Sequence, residues 1–166
     1  MCEAGDILFY ARVDGNLEDM IISRWTDSPF VHVAVAVSGV QKIEALGGGV
    51  ALTLINSRHI AACYSYQSQA HPLVIEDMDA ALAWLRTQIG MPYGVGDVVN
   101  AFWRRWEKGL SFDVGGHFDC SALACEFLLK AGGIAALQAI TDAHTMTPAL
   151  LAQALGVTSG VGIVIS

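Results

Sequence analysis

This chain contains the side chains that nucleophilic catalysis on a carbonyl requires, beginning with a thiol. Cys120 opens an apolar, helix-forming segment, with Asp119 before it as a helix cap and Gly132 after it as a stop. A thiol in the first turn of a helix lies at the positive end of the backbone dipole, which favours the thiolate that attacks carbonyls. A free cysteine is nevertheless more often a small core residue. Its interpretation therefore depends on the groups around it.

An imidazole and a carboxylate lie on a predicted β-hairpin. His32 is part of an apolar, β-branched stretch at 31–37 that predicts a buried strand. With a period of two, His32 shares a sheet face with Ala34 and Ala36, while the valines at 31, 33, 35 and 37 take the core-facing side. Glu44 follows twelve residues after His32, on the next predicted strand. On the same face, Glu44 can hold the imidazole in one tautomer and stabilise its protonated form. Taken separately, a structural histidine and an exposed strand glutamate are the ordinary alternatives.

The elements that must position these groups come as strands first and helices later. There is no regular alternation of strand and helix, so the predicted fold class is α+β, an antiparallel sheet packed against helices. The length of 166 residues suits a single domain, 1–166. Strands are predicted at 7–10, 31–37, 42–46, 50–55, 62–67 and 161–165, and helices at 16–25, 78–89, 97–108, 119–131 and 148–155.

Composition and charge exclude several classes of protein. With 54% hydrophobic and 15% charged residues, the chain is globular and not disordered. A net charge of −7 without a Lys/Arg cluster argues against a nucleic-acid partner. The apolar run at 31–37 is short and contains a histidine, so no membrane span is predicted.

The cysteines indicate thiols and not a disulfide framework or a metal site. There are four of them in a chain large enough to form a full core, and no C-x-x-C pair. His117 with Cys120 and Cys125 does not match a zinc pattern, so neither a metal nor a cofactor is predicted. The N-terminus has no basic and apolar regions of a signal peptide, which predicts a cytoplasmic protein as synthesised. Cys2 leaves a trimmed lipoprotein leader open, and export by another route is a further alternative.

Several segments together resemble a known family. Gly90 to Tyr93 and Phe118 to Ser121 resemble the tyrosine and nucleophile segments of the NlpC-type, papain-like cysteine peptidases. The 32–37 stretch and Glu44 resemble the base strand and the orienting strand of that family. In its usual members the cysteine precedes the histidine, whereas the order here is His, Glu, Tyr, Cys. The chain is therefore similar to the circularly permuted branch, which includes YiiX-like bacterial proteins and, more distantly, the lecithin:retinol acyltransferase family.

The resemblance covers most of residues 5 to 131 and implies a papain-like fold with the nucleophile at the start of a central helix. It implies Cys120 as nucleophile, His32 as general base and then acid, and Glu44 as the group that orients the imidazole. It also implies that Tyr93 places its hydroxyl near the thiolate and that the Cys120 backbone N–H helps to form an oxyanion hole.

The chain departs from the family pattern at three points. The spacer from Tyr93 to Cys120 is longer than usual and contains an aromatic helix around 102–106, which either roofs the cleft or packs on the surface. Ala122 replaces a glycine that commonly follows Cys-Ser, a small change inside a helix. Glu44 stands where the peptidases more often have His, Asn or Gln, although an acid can also orient the base.

The predicted function is hydrolysis of amide bonds through an acyl-thioester on Cys120. The partner would be a peptide or acyl substrate, with cell-wall peptides (peptidoglycan) of a bacterial or phage context as the leading candidate. One alternative is a lipid acyltransferase or thiol esterase of the same fold, which the apolar content and Trp103 and Trp106 suggest. Another is a non-catalytic binding module of a phage or secretion assembly. Nothing in the residues indicates an oligomeric state.

Overall fold

In a computed structural model of the chain, residues 2–11, 28–66, 75–92, 120–132 and 146–157 are described. Within these ranges, five strands form one sheet in the order β4-β3-β2-β1-β5, and every pair of neighbours is antiparallel. Three helices accompany the sheet, which confirms the α+β class with an antiparallel sheet. The strands are β1 (Ile7–Ala11), β2 (Phe30–Ala36), β3 (Gln41–Leu46), β4 (Gly49–Leu54) and β5 (Ile60–Tyr64), and the helices are α1 (Met78–Thr87), α2 (Cys120–Lys130) and α3 (Pro148–Ala154).

The hairpin of β2 and β3 sets the relative position of the two polar residues predicted to face each other. The strands pair with Val35 opposite Ile43 and Ala36 opposite Lys42. Ser38 closes the turn, because its hydroxyl accepts a hydrogen bond from the Gln41 amide at 3.0 Å. Since side chains alternate along a strand, this register places residue 44 on the same face as residues 34 and 36.

The two faces of the sheet have different contents. One face carries the main core, to which all three helices contribute and in which Phe9, Val33 and Ile43 are fully buried. The opposite face carries a smaller apolar cluster of Leu8, Tyr10, Ala34 and Ala36. The predicted assignment of faces along β2 is thus correct for Val33, Val35, Val37 and for the alanines.

A β-bulge corrects one detail of that assignment. In the pairing with β1, His32 lies opposite Tyr10 but Phe30 lies opposite Ala11, so Val31 is an extra residue on β2. Phe30 consequently packs in the main core, at a ring-centroid distance of 5.2 Å from Phe9, on the side expected for Val31. Bulges re-aim the side chains next to them, and this one lies directly beside His32.

The helices begin where the sequence has capping residues. The Asp77 carboxylate accepts a hydrogen bond from the Ala80 amide at 2.8 Å, and Thr147 caps α3 ahead of Pro148. Helix α2 packs against β2, β3 and α1, and α3 packs against β2 and α2. The predicted helices at 16–25 and 97–108 and the strand at 161–165 lie outside the described residues.

Candidate active site

His32 and Glu44 are joined directly on one face of the sheet. His32 Nε2–H donates a hydrogen bond of 2.7 Å to Glu44 Oε2. Glu44 is 5% exposed, and the His32 side chain is partly buried. The ordinary alternative for Glu44, an exposed strand residue, is therefore wrong, because this carboxylate is buried and paired.

Cys120 is the first residue of α2 and approaches the same imidazole. The interaction of the Cys120 thiol with the imidazole is the largest of the contributions that raise the pKa of His32, so the sulfur lies close to the ring. Glu44 occupies Nε2 of the ring, so Nδ1 is the ring nitrogen left for the sulfur. The structure thus brings together three of the four residues singled out in the sequence.

The electrostatics around His32 favour the imidazolium. Burial opposes a charged ring, but the charge and the hydrogen bond of Cys120, followed by those of Glu44, outweigh burial and raise the pKa of His32 to about 9. The imidazole of His32 is therefore held in its protonated form over a wider pH range than a free histidine.

Glu44 is held in its ionised form. Burial alone would favour the neutral acid, but hydrogen bonds from His32, Lys42 and Thr53 lower the pKa of Glu44 to about 2. Both carboxylate oxygens have donors, because Thr53 Oγ1–H donates to Oε1 at 2.6 Å while Oε2 accepts from His32 and Lys42. A carboxylate held in this way has a fixed orientation and a full negative charge.

Lys42, Thr53 and Tyr10 are site residues that the sequence interpretation missed. Lys42 Nζ donates to Glu44 Oε2 at 2.5 Å and lies 4.2 Å from the centroid of the Tyr10 ring, whose own centroid is 5.7 Å from that of His32. The signal for Lys42 was present, since a period of two places it on the face of Glu44. Thr53 and Tyr10 come from other strands, and the pairing that brings them here is visible only in the fold.

Tyr93, the fourth predicted residue, lies outside the described residues. The chain just before it is held against the start of β4: the Val50 amide donates to the Met91 carbonyl and the Gly90 amide to the Val50 carbonyl, each at 2.8 Å. Asp119, the predicted helix cap, also lies outside the described residues.

The remaining cysteines differ in environment from Cys120. All four are free thiols. Burial, with the nearby Asp6 carboxylate and Cys2 thiol, raises the pKa of Cys63 well above its ordinary value. Burial and Asp6 also raise the pKa of Cys2, while Cys125 packs in the main core at 2% exposure. Cys120 differs from these three in its interaction with an imidazole, which contributes to the raised pKa of His32.

The described residues contain neither a cluster suited to a metal ion nor a helix suited to span a membrane. No cluster of three or more His, Cys, Asp or Glu side chains in these ranges has the arrangement to hold a metal ion. The described helices also include none with the length and apolar character needed to cross a membrane. When the whole chain is compared with known proteins, no family model, no curated protein and no solved structure matches it.

Proposed function

We propose that this protein is a cysteine-dependent hydrolase of amide bonds, with Cys120 as nucleophile, His32 as general base and acid, and Glu44 as the orienting carboxylate. The observation that carries the proposal is the hydrogen bond of His32 to the buried carboxylate of Glu44, with the Cys120 thiol close enough to the same imidazole to raise its pKa. Nucleophile, base and orienting group in hydrogen-bonded series form the arrangement that activates a weak nucleophile.

The order of the elements supports a papain-like arrangement in permuted form. The base is on β2, the orienting group is on the adjacent β3, and the nucleophile begins α2, later in the chain. This is the order that the resemblance to permuted NlpC-type peptidases implies, and that resemblance is also the basis for choosing an amide as the substrate bond.

In the proposed mechanism His32 takes up the proton of the Cys120 thiol before the attack. The sulfur of Cys120 attacks the carbonyl carbon, and the resulting oxyanion accepts a hydrogen bond from the Cys120 backbone N–H at the start of α2. His32 then gives its proton to the leaving amine, which leaves an acyl-thioester on Cys120. A water molecule, deprotonated by His32, attacks the thioester and releases the acid, and the proton returns to the Cys120–His32 pair.

Alkylation of the thiols by iodoacetamide tests the dyad without a known substrate. Mass spectrometry of peptides measures the rate at each cysteine as a function of pH, so Cys63 and Cys125 serve as controls within the same molecule. We expect Cys120 to react at least about tenfold faster than Cys63 at pH 7, although Cys63 is the more exposed, because only thiolates are alkylated. His32→Ala is expected to slow the alkylation of Cys120, because the imidazole no longer takes up the proton of the thiol.

Equal rates at Cys120 and Cys63, or a Cys120 profile unchanged by His32→Ala, would contradict the dyad and favour the non-catalytic binding module. Once the dyad is established, hydrolysis of muropeptides is compared with hydrolysis of fatty-acyl esters. Each substrate is incubated with the wild type and with Cys120→Ala, and the comparison separates the amide hydrolase from the lipid enzyme. Hydrolysis of the esters alone would overturn the choice of an amide substrate.

A further inference from the structure

Lys42 is a buried lysine whose ammonium is directed into the candidate site. Its side chain is 8% exposed, and Nζ lies 2.5 Å from Glu44 Oε2. The ring of Tyr10, with its centroid 4.2 Å from Nζ, covers the ammonium from the side of β1. Lysine is almost never buried without a partner because its charge loses the solvation of water. The position of this ammonium is therefore determined by the carboxylate and the aromatic ring that it contacts.

Lys42 and His32 share a single oxygen. Glu44 Oε2 accepts from Lys42 Nζ at 2.5 Å and from His32 Nε2 at 2.7 Å, while Oε1 accepts from Thr53. Two cations on one carboxylate oxygen divide its negative charge between them. The imidazole thus interacts with a carboxylate that is already partly neutralised, and the carboxylate has three donors to fix its plane.

We propose that Lys42 is a positioning residue that acts on His32 through Glu44: by sharing the oxygen Oε2, it limits the stabilisation that the carboxylate gives to the imidazolium. The inference rests on the proposed function insofar as His32 must act as the base. A histidine paired with an unshared buried carboxylate would hold its proton too firmly to return it to a leaving group, since proton transfer is efficient when the catalytic pKa lies near the working pH.

In the described residues, the ionisable side chains that face His32 come from three elements. Among the described residues, Cys120 comes from α2, Glu44 and Lys42 from β3, and Tyr10 from β1. Helix α3, which also packs on β2, carries no ionisable side chain. Glu126 lies almost two turns along α2 from its first residue, at about 9 Å of helical rise. Within the described ranges, Lys42 is therefore the cation that is placed to offset Glu44.

Two substitutions distinguish this role from a purely structural one. If Lys42 offsets the charge of Glu44, Lys42→Met leaves His32 with the whole carboxylate and raises the pKa of His32 by about one unit, whereas Glu44→Gln lowers it by roughly 1 to 3 units. If Lys42 only supports the fold, its loss displaces Glu44 and the pKa of His32 falls in both variants. The two roles thus predict opposite signs for the same substitution.

NMR titration of the imidazole ring carbons measures the pKa of His32 without substrate. The chain has five histidines, and His32→Gln assigns the resonance. The series is wild type, Lys42→Met, Glu44→Gln and Lys42→Arg, the last as the matched variant that keeps the charge and is expected within about half a unit of the wild type. If Lys42→Met does not fold, Lys42→Gln takes its place, and the pKa of His32 is expected to shift in the same direction.

Where turnover is measurable, the alkaline limb of the pH profile of kcat/KM should move to higher pH in Lys42→Met by the same amount. The reason is that this limb reports the loss of the imidazolium proton.

An unchanged or lowered pKa of His32 in the neutral variants of Lys42 would overturn the inference. So would a shift in Lys42→Arg as large as that in Lys42→Met, because then charge is not the cause. Failure of the proposed function is a separate result, since it appears as slow alkylation of Cys120 in the wild type and leaves the sign of the His32 shift to be measured on its own.

Discussion

Replacement of Glu44 by Gln tests whether the site is an ion-pair network or a set of neutral hydrogen bonds. Glutamine has the shape of glutamate and can still accept a hydrogen bond from His32, but it carries no charge. Lys42 would keep its ammonium in a buried position beside a neutral amide. Loss of one partner of a buried pair typically costs about 3 to 5 kcal/mol, because the other charge remains desolvated.

The pKa of Glu44 gives an independent magnitude. The shift from 4.5 to about 2 corresponds to about 3 kcal/mol at 1.36 kcal/mol per unit, for a side chain that is 6% exposed. Because the folded pKa is below the unfolded one, this stabilisation is present above pH 4.5 and is lost as the pH falls through about 2. At pH 3 about 2 of the 3 kcal/mol should already be gone.

The contribution of His32 to stability depends on pH in the opposite direction. Its pKa rises on folding from 6.5 to about 9, so its contribution is present below pH 6.5 and is lost as the pH rises through about 9. Part of this contribution is the same interaction with Glu44, and the two magnitudes are therefore not added. In Glu44→Gln only the share from Cys120 remains, so the loss of stability between pH 6.5 and 9 should be smaller than in the wild type.

Urea unfolding at a series of pH values, followed by the fluorescence of the four tryptophans, measures these differences. With a denaturant slope of about 2 kcal/mol per molar, a loss of 3 kcal/mol lowers the unfolding midpoint by about 1.5 M at pH 7. The gap between wild type and Glu44→Gln should shrink to about 0.5 M at pH 3. Taking this difference cancels the contributions of all other carboxylates, such as Asp6.

A gap that stays constant from pH 7 to pH 3 would refute the ion-pair interpretation, since a neutral network has no reason to weaken over that interval. Thr53→Val provides a graded companion, because it removes only the hydrogen bond to Glu44 Oε1 and is expected to cost about 1 kcal/mol. If Glu44→Gln does not fold, Thr53→Val provides the same test. The ion-pair interpretation predicts that its loss in the free energy of unfolding disappears toward pH 3.

Two further substitutions test the frame around the site. Gly49 has φ +117°, and a Cβ there would lie 2.7 Å from the Met91 carbonyl oxygen, so Gly49→Ala should cost about 2 kcal/mol and lower Tm by about 4 to 8 °C. Gly48→Ala, which meets no atom within 4 Å, is the matched control, and similar losses in both would show that the close approach to Met91 is unimportant. The buried Tyr10 hydroxyl has no hydrogen-bond partner in the described part of the chain, so Tyr10→Phe should raise the free energy of unfolding by about 1 kcal/mol while keeping the ring against Lys42. A loss of more than 1 kcal/mol in calorimetry would mean that the hydroxyl does have a partner.

Local rules predicted much of the described fold. The β-branched stretch around His32, the hairpin that follows it and the helices predicted at 78–89 and 148–155 each depend on signals within a few residues, so they are visible in the sequence. Alternation along the strands also predicted that Glu44 and His32 share a face, as the hydrogen bond between them requires. The bulge at Val31 was not predicted, because it depends on how β1 pairs with β2 over a long separation in the chain.

The sequence by itself determined which chemistry is available: one thiol at a helix start, one imidazole and one carboxylate on a hairpin. Only the tertiary structure decided that Lys42 and Thr53 contact that carboxylate and that Tyr10 covers Lys42, because the four strands β1 to β4 have to pair before these side chains meet. The same folding removes the carboxylate from water, and this burial strengthens its electrostatic interactions with its hydrogen-bond donors. A glutamate on an isolated hairpin would be screened by solvent, whereas Glu44 in the folded protein interacts strongly with each of its donors.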